Sequence, residues 1–190
     1  MLVIGLAGRI GSGKGTVADY LRKRYGAEQF VYSDILGNIL EHLGLPVTRP
    51  NLQQLGEVLR EELGRDILVN AMKAKILRGR KEVRLIDGIR YVNEVEMLRT
   101  FPHSLLLFMH APLEVRYQRA KRRAEKGEIS ISLEEFKKRD RASTEKELAQ
   151  VKKMADHIID NSGTTEELYT KIDRLMKGLM DRQGIHETRD

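Results

Sequence analysis

The sequence predicts an α/β fold of three layers, in which a five-stranded parallel sheet carries helices on both faces. Short apolar runs alternate with amphipathic helical stretches, the runs have the continuous hydrophobicity of buried parallel strands, and the first ends in a glycine-rich turn that opens a helix. With 190 residues, 41% of them hydrophobic, the chain can bury one substantial core, and it reads as a single domain with insertions.

Taken in order, Leu2 to Leu6 is the first strand and Lys14 to Tyr25 the first helix. Gln29 to Tyr32 is a second strand, and helical segments follow as far as Arg78. Further strands read at Val83 to Ile86, Ser104 to His110 and His157 to Ile159, each a short apolar run. Helices are expected near Asn93 to Leu98, Leu113 to Glu125, Leu133 to Lys153 and Thr165 to Met180. Gly163-Thr164-Thr165 with Glu166 and Glu167 has the form of a capped helix start, because acidic groups favour the positive end of the helix dipole. Phe30, Tyr32 and Phe108 read as strand residues of the core. Two segments without strands are excursions from the sheet, residues 35–78 and 116–153, which leaves 1–34, 79–115 and 154–180 as the sheet-bearing core.

Composition narrows the setting. Cysteine is absent, which excludes a disulfide framework and a Cys-based zinc site and points to a reducing cytoplasm. The opening run Met1 to Ala7 is too short to span a bilayer and has no basic leader, so neither membrane nor export is expected. The net charge is +6, and residues 116–141 alone hold ten Lys or Arg against five Asp or Glu. A charge excess gathered at one edge is not the chain-long basic footprint of a nucleic-acid binder. Charged residues at 33% without Cys or Trp lean towards a thermophile.

Gly8-Arg9-Ile10-Gly11-Ser12-Gly13-Lys14-Gly15-Thr16 lies between the first strand and the first helix, the context in which a phosphate-binding Walker A loop is credible. A phosphate chain needs backbone N–H groups aimed inward, and glycines at 8, 11 and 13 let the chain curl that tightly. Ser12 and Gly15 complete the loop, the Lys14 ammonium can reach the β and γ phosphates, and the Thr16 hydroxyl can face Mg²⁺. Asp87 ends a buried strand, where ligands of open parallel sheets gather, and can hold a Mg²⁺-bound water beside Thr16. Arg90 follows at a spacing that turns a bidentate guanidinium towards an acceptor phosphate.

The Gly-Lys-Gly-Thr ending resembles adenylate kinase and its relatives. Asp87-Gly88-Ile89-Arg90 is similar to the D-G-F-P-R signature of those enzymes, one residue shorter and without the proline. Asp87 to Glu94, and Asn51 to Gly56 with Arg60, resemble phage-type deoxynucleoside monophosphate kinases. Gly5 to Lys14 with Ser33-Asp34 resembles dephospho-CoA kinase. Leu59 to Gly64, Asp87 to Arg90, Glu134 to Asp140 and Ala155-Asp156-His157 together resemble archaeal P-loop proteins identified only as probable nucleotide kinases, over nearly the whole chain.

These resemblances imply an ATP-dependent P-loop kinase that needs Mg²⁺ and acts on a (deoxy)nucleoside monophosphate, with dephospho-CoA as the alternative acceptor. Such kinases carry mobile segments that exclude water. Residues 35–78 are then the acceptor-binding insertion, with Asp34 at its root as substrate contact or helix N-cap, and Arg60 as a phosphate or base contact. Residues 116–153 are the lid. Helical spacing places Arg116, Arg119 and Arg123 on one face, with Arg119 and Arg123 the best candidates to neutralise charge on the transferred phosphoryl. Arg139 and Arg141, beyond a turn at Gly127, could close from the other side. A nucleic-acid-associated P-loop ATPase is the rival from another class. Against it, Gly88 stands where many ATPases carry a glutamate after the aspartate, and no N-K-x-D guanine motif occurs.

Overall fold

The computed structural model describes residues 1–124, 132–140 and 145–183, with the side chains at 123, 124, 139, 145, 146, 182 and 183 outside the description. Five strands, β1 (Leu2–Gly8), β2 (Glu28–Val31), β3 (Val83–Ile89), β4 (Ser104–His110) and β5 (His157–Asp160), form one parallel sheet in the order β2-β3-β1-β4-β5. The described helices are α1 (Lys14–Tyr25), α2 (Tyr32–His42), α3 (Arg49–Glu62), α4 (Ile67–Arg78), α5 (Val92–Arg99), α6 (Leu113–Ala124), α7 (Leu133–Asp140), α8 (Glu145–Lys153) and α9 (Thr165–Gln183).

Because side chains alternate across a strand, each central strand feeds two cores. Val3, Ala7, Ile86, Leu106 and Phe108 pack against α2, α4, α5 and α8. Leu2, Ile4, Leu6, Leu85 and Leu107 pack against α1 and α9 on the other face. Gly5 is needed here for close approach: a Cβ at this position would lie 2.4 Å from Ile89 Cδ1 and 2.8 Å from Leu98 Cδ2, so glycine lets α5 settle onto β1.

Several expected boundaries move for physical reasons. Tyr32 opens α2 instead of ending β2; it is buried all the same. Asp34 therefore lies in the first turn of α2 and does not cap it, since Val31 holds the N-cap position. The single helix expected over Leu133 to Lys153 is two, α7 and α8, and the intervening 141–144, like Gly127, lie outside the described residues. Leu148 and Val151 of α8 are buried in the core. At the start of α9, the Glu167 carboxylate accepts from Thr164 N while Thr164 Oγ1 accepts from Glu167 N, a reciprocal capping box.

Helices α2, α3 and α4 are tied to the rest. Thr48 caps α3, Asn93 Nδ2 donates to the Asp66 carboxylate at 2.7 Å, and Arg65 pairs with Glu147 of α8 at 2.7 Å. Among the described residues no helix is long and apolar enough to cross a membrane.

Candidate functional site

The C-terminal ends of β1, β3 and β4 form the rim that carries the glycine loop, Asp87 and His110. Beyond β1 the chain turns through Gly11 and Gly13, both at positive φ (76° and 99°). Those torsions strain an L side chain, and the surroundings leave no room for one either. A Cβ at Gly11 would lie 2.8 Å from the Arg116 carbonyl oxygen, and at Gly13 2.0 Å from Asn161 Nδ2. Gly15, by contrast, has nothing within 4 Å of the position a Cβ would take.

Lys14 opens α1, and its ammonium donates to the carbonyls of Gly8 (2.7 Å) and Arg9 (3.2 Å), bridging the mouth of the loop. The loop also presents the positive end of α1, the arrangement that draws phosphate to a helix N-terminus. Thr16 is exposed in the first turn of α1. The Ser12 hydroxyl is buried and has no hydrogen-bond partner among the described residues.

Asp87 sits two residues before the end of β3, where the pairing with β1 shifts register: Leu6 faces Asp87, and Ala7 faces Ile89. Gly88, at φ 90°, absorbs the extra residue as a bulge. Gln29 Nε2 donates to Asp87 Oδ2 at 3.0 Å. Burial pushes the Asp87 carboxyl above its ordinary range, while Lys14, the Gln29 hydrogen bond and Arg90 pull it back. A carboxyl in that state welcomes a cation, and Thr16 and Asp87 offer the hard oxygen donors that Mg²⁺ prefers. No group of three or more His, Asp or Glu arranged to hold a metal occurs among the described residues. Magnesium held there would take most of its ligands from phosphates and water, as it does in kinase sites.

Beyond β3, Glu94 is buried in the first turn of α5 and its carboxylate accepts from the backbone N–H of Arg90 (2.7 Å) and Tyr91 (3.2 Å). Burial raises Glu94 to about 7 despite those bonds and the nearby Arg60 and Arg90. The Arg60 guanidinium lies over the Tyr91 ring, 4.6 Å from its centre, and donates to the Gly56 carbonyl. The buried Tyr32 hydroxyl has no hydrogen-bond partner among the described residues, and burial with the Glu94 charge keeps the phenol neutral. Arg60, Arg90, Tyr91, Glu94 and Tyr32 thus share one electrostatic neighbourhood, whereas Asp34 is exposed on α2.

The arginines of α6 do not behave alike. Arg116, expected to face the phosphoryl group with its helix neighbours, is buried and committed elsewhere. It donates to both Asp140 oxygens and to the carbonyls of Ala111 and Ile10. A buried guanidinium held by a carboxylate and two carbonyls through four hydrogen bonds is not free to turn towards a phosphoryl group. Arg119 lies beside Gly13, donates weakly to Asn161 Oδ1 at 3.4 Å, and has a buried NH1 that finds no hydrogen-bond partner among the described residues. Burial, with Arg122 adding to it, disfavours its charge. The side chains of Arg123 and Arg139, and all of Arg141, lie outside the described residues. His110 lines a cleft of about 340 Å³ with Arg9, Ser12, Phe108, Leu148 and Lys152.

A family model described as "AAA domain" matches residues 4–151. A UPF0200 protein of Hyperthermus butylicus is 30% identical over 94% of this chain and 95% of its own length. The chain belongs to the UPF0200 family. A UPF0200/UPF0201 protein of Archaeoglobus fulgidus is 34% identical over 99% of the chain, which spans 61% of that longer relative. Among solved structures, TT1252 from Thermus thermophilus superposes with a TM-score of 0.63 at 24% identity, covering 94% of this chain and 97% of that one. Shikimate kinase from Acinetobacter baumannii superposes at 0.55 and 19% identity, with 94% of each chain covered. These likenesses establish a P-loop kinase-like fold for this UPF0200 chain.

Two site residues escaped the sequence reading. Asn161 is buried just beyond β5, where its Nδ2 donates to the Ser12 carbonyl at 2.9 Å and props the loop from the side of α9. Its only signal was a polar residue directly after an apolar strand, in Asp160-Asn161-Ser162-Gly163. Asp140 was visible only inside a resemblance, because nothing local announces that α7 reaches back to the loop.

Proposed function

We propose that this chain is an ATP- and Mg²⁺-dependent small-molecule kinase that transfers the γ-phosphoryl group to a (deoxy)nucleoside monophosphate. The observation that carries the reading is the glycine loop between β1 and α1, its mouth bridged by Lys14, with Asp87 near the end of β3 and the Arg90 backbone held by Glu94 just beyond it. Lys14 and Arg90 both act on Asp87, and Arg90 and Arg60 both act on Glu94. A phosphate-loop lysine thereby leads directly to two guanidiniums suited to a second phosphate.

In this reading Gly8, Gly11, Ser12, Gly13, Lys14, Gly15 and Thr16 cradle the ATP phosphates. Thr16 and Asp87 hold Mg²⁺, partly through water, and the metal supplies charge neutralisation at the phosphates. Arg90 and Arg60 bind the acceptor phosphate, with the Tyr91 ring fixing the plane of Arg60. Arg119, beside the loop, neutralises charge on the transferred group. Transfer is in line and depends on positioning and electrostatics. The acceptor phosphate is already ionised at neutral pH, so no strong general base is required.

The test is ADP release from Mg·ATP across all ribo- and deoxynucleoside monophosphates and dephospho-CoA. One monophosphate should raise turnover far above background. Stimulation by dephospho-CoA alone would reject the assigned acceptor class, and no stimulation, with tight salt-sensitive RNA or DNA binding instead, would reject the kinase reading.

A further inference from the structure

Asp140, the last residue of α7, joins that helix to the phosphate loop through two arginines. Its Oδ2 accepts from Arg9 NH1 and Arg116 NH2, each at 2.9 Å, and its Oδ1 accepts from Arg116 NH1 at 2.6 Å. The Arg116 and Asp140 side chains are 4% and 6% exposed, whereas Arg9 is 42% exposed. Burial works to raise the Asp140 carboxyl, but the Arg116 and Arg9 guanidiniums outweigh it and hold the group below its ordinary range. The pair is roofed by Phe136, fully buried, whose ring centre lies 5.8 Å from the Arg116 guanidinium and 5.6 Å from the Tyr117 ring.

We propose that Asp140 is a positioning residue for ATP, setting the outer limb of the phosphate loop through Arg116 and Arg9; the inference rests on the ATP-binding reading above. Arg116 NH1 donates to the Ile10 carbonyl at 3.1 Å. In a planar trans peptide the carbonyl and the following N–H point in opposite directions. Fastening the Ile10 carbonyl to Arg116 therefore turns the Gly11 N–H to the other side of the loop, away from Arg116. A glycine-rich loop has many alternatives to that orientation, and each lost alternative is entropy that ATP need not remove on binding.

Asp140 makes the arrangement tenable, because a buried guanidinium left without its carboxylate is strongly disfavoured and would leave its seat against Ile10. The same carboxylate holds Arg9, the loop's own side chain. The three groups together leave one net positive charge beside the loop. Since α7 carries Asp140, the seating of α7 and the shape of the loop are one event.

The experiment measures Mg·ATP affinity by calorimetry, with KM for ATP and for the acceptor, in wild type, Asp140→Asn, Asp140→Glu and Arg9→Met, and in the paired Arg116→Met/Asp140→Leu. The paired variant replaces a buried ion pair with apolar groups, a change that often preserves folding, yet it removes the donor to Ile10. Asp140→Asn and the paired variant should bind ATP at least tenfold more weakly, with acceptor KM changed less than twofold, and Asp140→Glu should recover part of the loss. A merely structural role would lower the melting temperature without separating ATP from acceptor. If the paired variant does not fold, Arg9→Met decides: it removes the partly exposed bond to Asp140 while the buried Arg116–Asp140 pair stays, and a several-fold loss of ATP affinity is expected. Folded variants with wild-type ATP affinity overturn the proposal. Wild type that binds no ATP overturns the kinase reading instead.

Discussion

Replacing Gly13 by alanine probes the loop at its tightest point. The backbone there has φ 99°, and a Cβ would sit 2.0 Å from Asn161 Nδ2. Two costs follow. An L residue at positive φ is disfavoured by about 1–2 kcal/mol. Asn161, itself buried, must also move and give up its 2.9 Å bond to the Ser12 carbonyl, and a buried carbonyl left unsatisfied costs about 1–3 kcal/mol. The sum of about 2–5 kcal/mol corresponds to a melting temperature lower by roughly 4–20 °C in a chain of this size. Gly15→Ala is the control: it lies in the first turn of α1 with nothing within 4 Å of its Cβ position. Alanine there should stabilise by about 0.5–1 kcal/mol. Thermal melts of the two variants beside wild type test the contrast. Gly13→Ala melting within a degree of wild type, or Gly15→Ala losing as much as Gly13→Ala, would mean that neither the positive φ nor the Asn161 contact constrains the loop.

Lys14→Met should fold but lose roughly a hundredfold in turnover, the effect of deleting one preorganised group worth about 3 kcal/mol; near-normal turnover would remove Lys14 from the chemistry. Glu94, raised to about 7 from an ordinary 4.5, keeps its proton in the folded state while the unfolded chain releases it, so stability falls as pH rises from about 4.5 to 7 and levels off above. The drop is on the order of 3 kcal/mol, and melts of Glu94→Gln across that window should be flatter than those of wild type. Asp34→Asn should only weaken transfer to a phosphate acceptor; abolished turnover would favour a hydroxyl acceptor whose proton Asp34 takes.

The sheet was legible because buried parallel strands advertise themselves as apolar runs, and Ser104–His110 was expected with the bounds it has. Tyr32 was misplaced because an aromatic after an apolar run looks the same whether it ends a strand or starts a helix with no polar cap. The phosphate loop was legible as a local motif, with glycine, lysine and threonine at fixed spacing between strand and helix. Contacts across the fold were not. Arg116 has the helical spacing of a lid arginine, and only the return of α7 shows that Asp140 has claimed it. Asn161 lies 149 residues from the carbonyl it serves, too far for any local pattern to couple them. Gly5 looked like an ordinary strand residue, since the helix that excludes a side chain there arrives more than eighty residues later.

Product analysis by ³¹P NMR separates transfer to a phosphate-bearing acceptor from hydrolysis of ATP. With Mg·ATP and the most stimulating nucleoside monophosphate, ADP and the nucleoside diphosphate should appear in equal amounts, with little inorganic phosphate. ADP accompanied by an equal amount of inorganic phosphate, and no phosphorylated acceptor, would contradict the account and make the protein an ATPase.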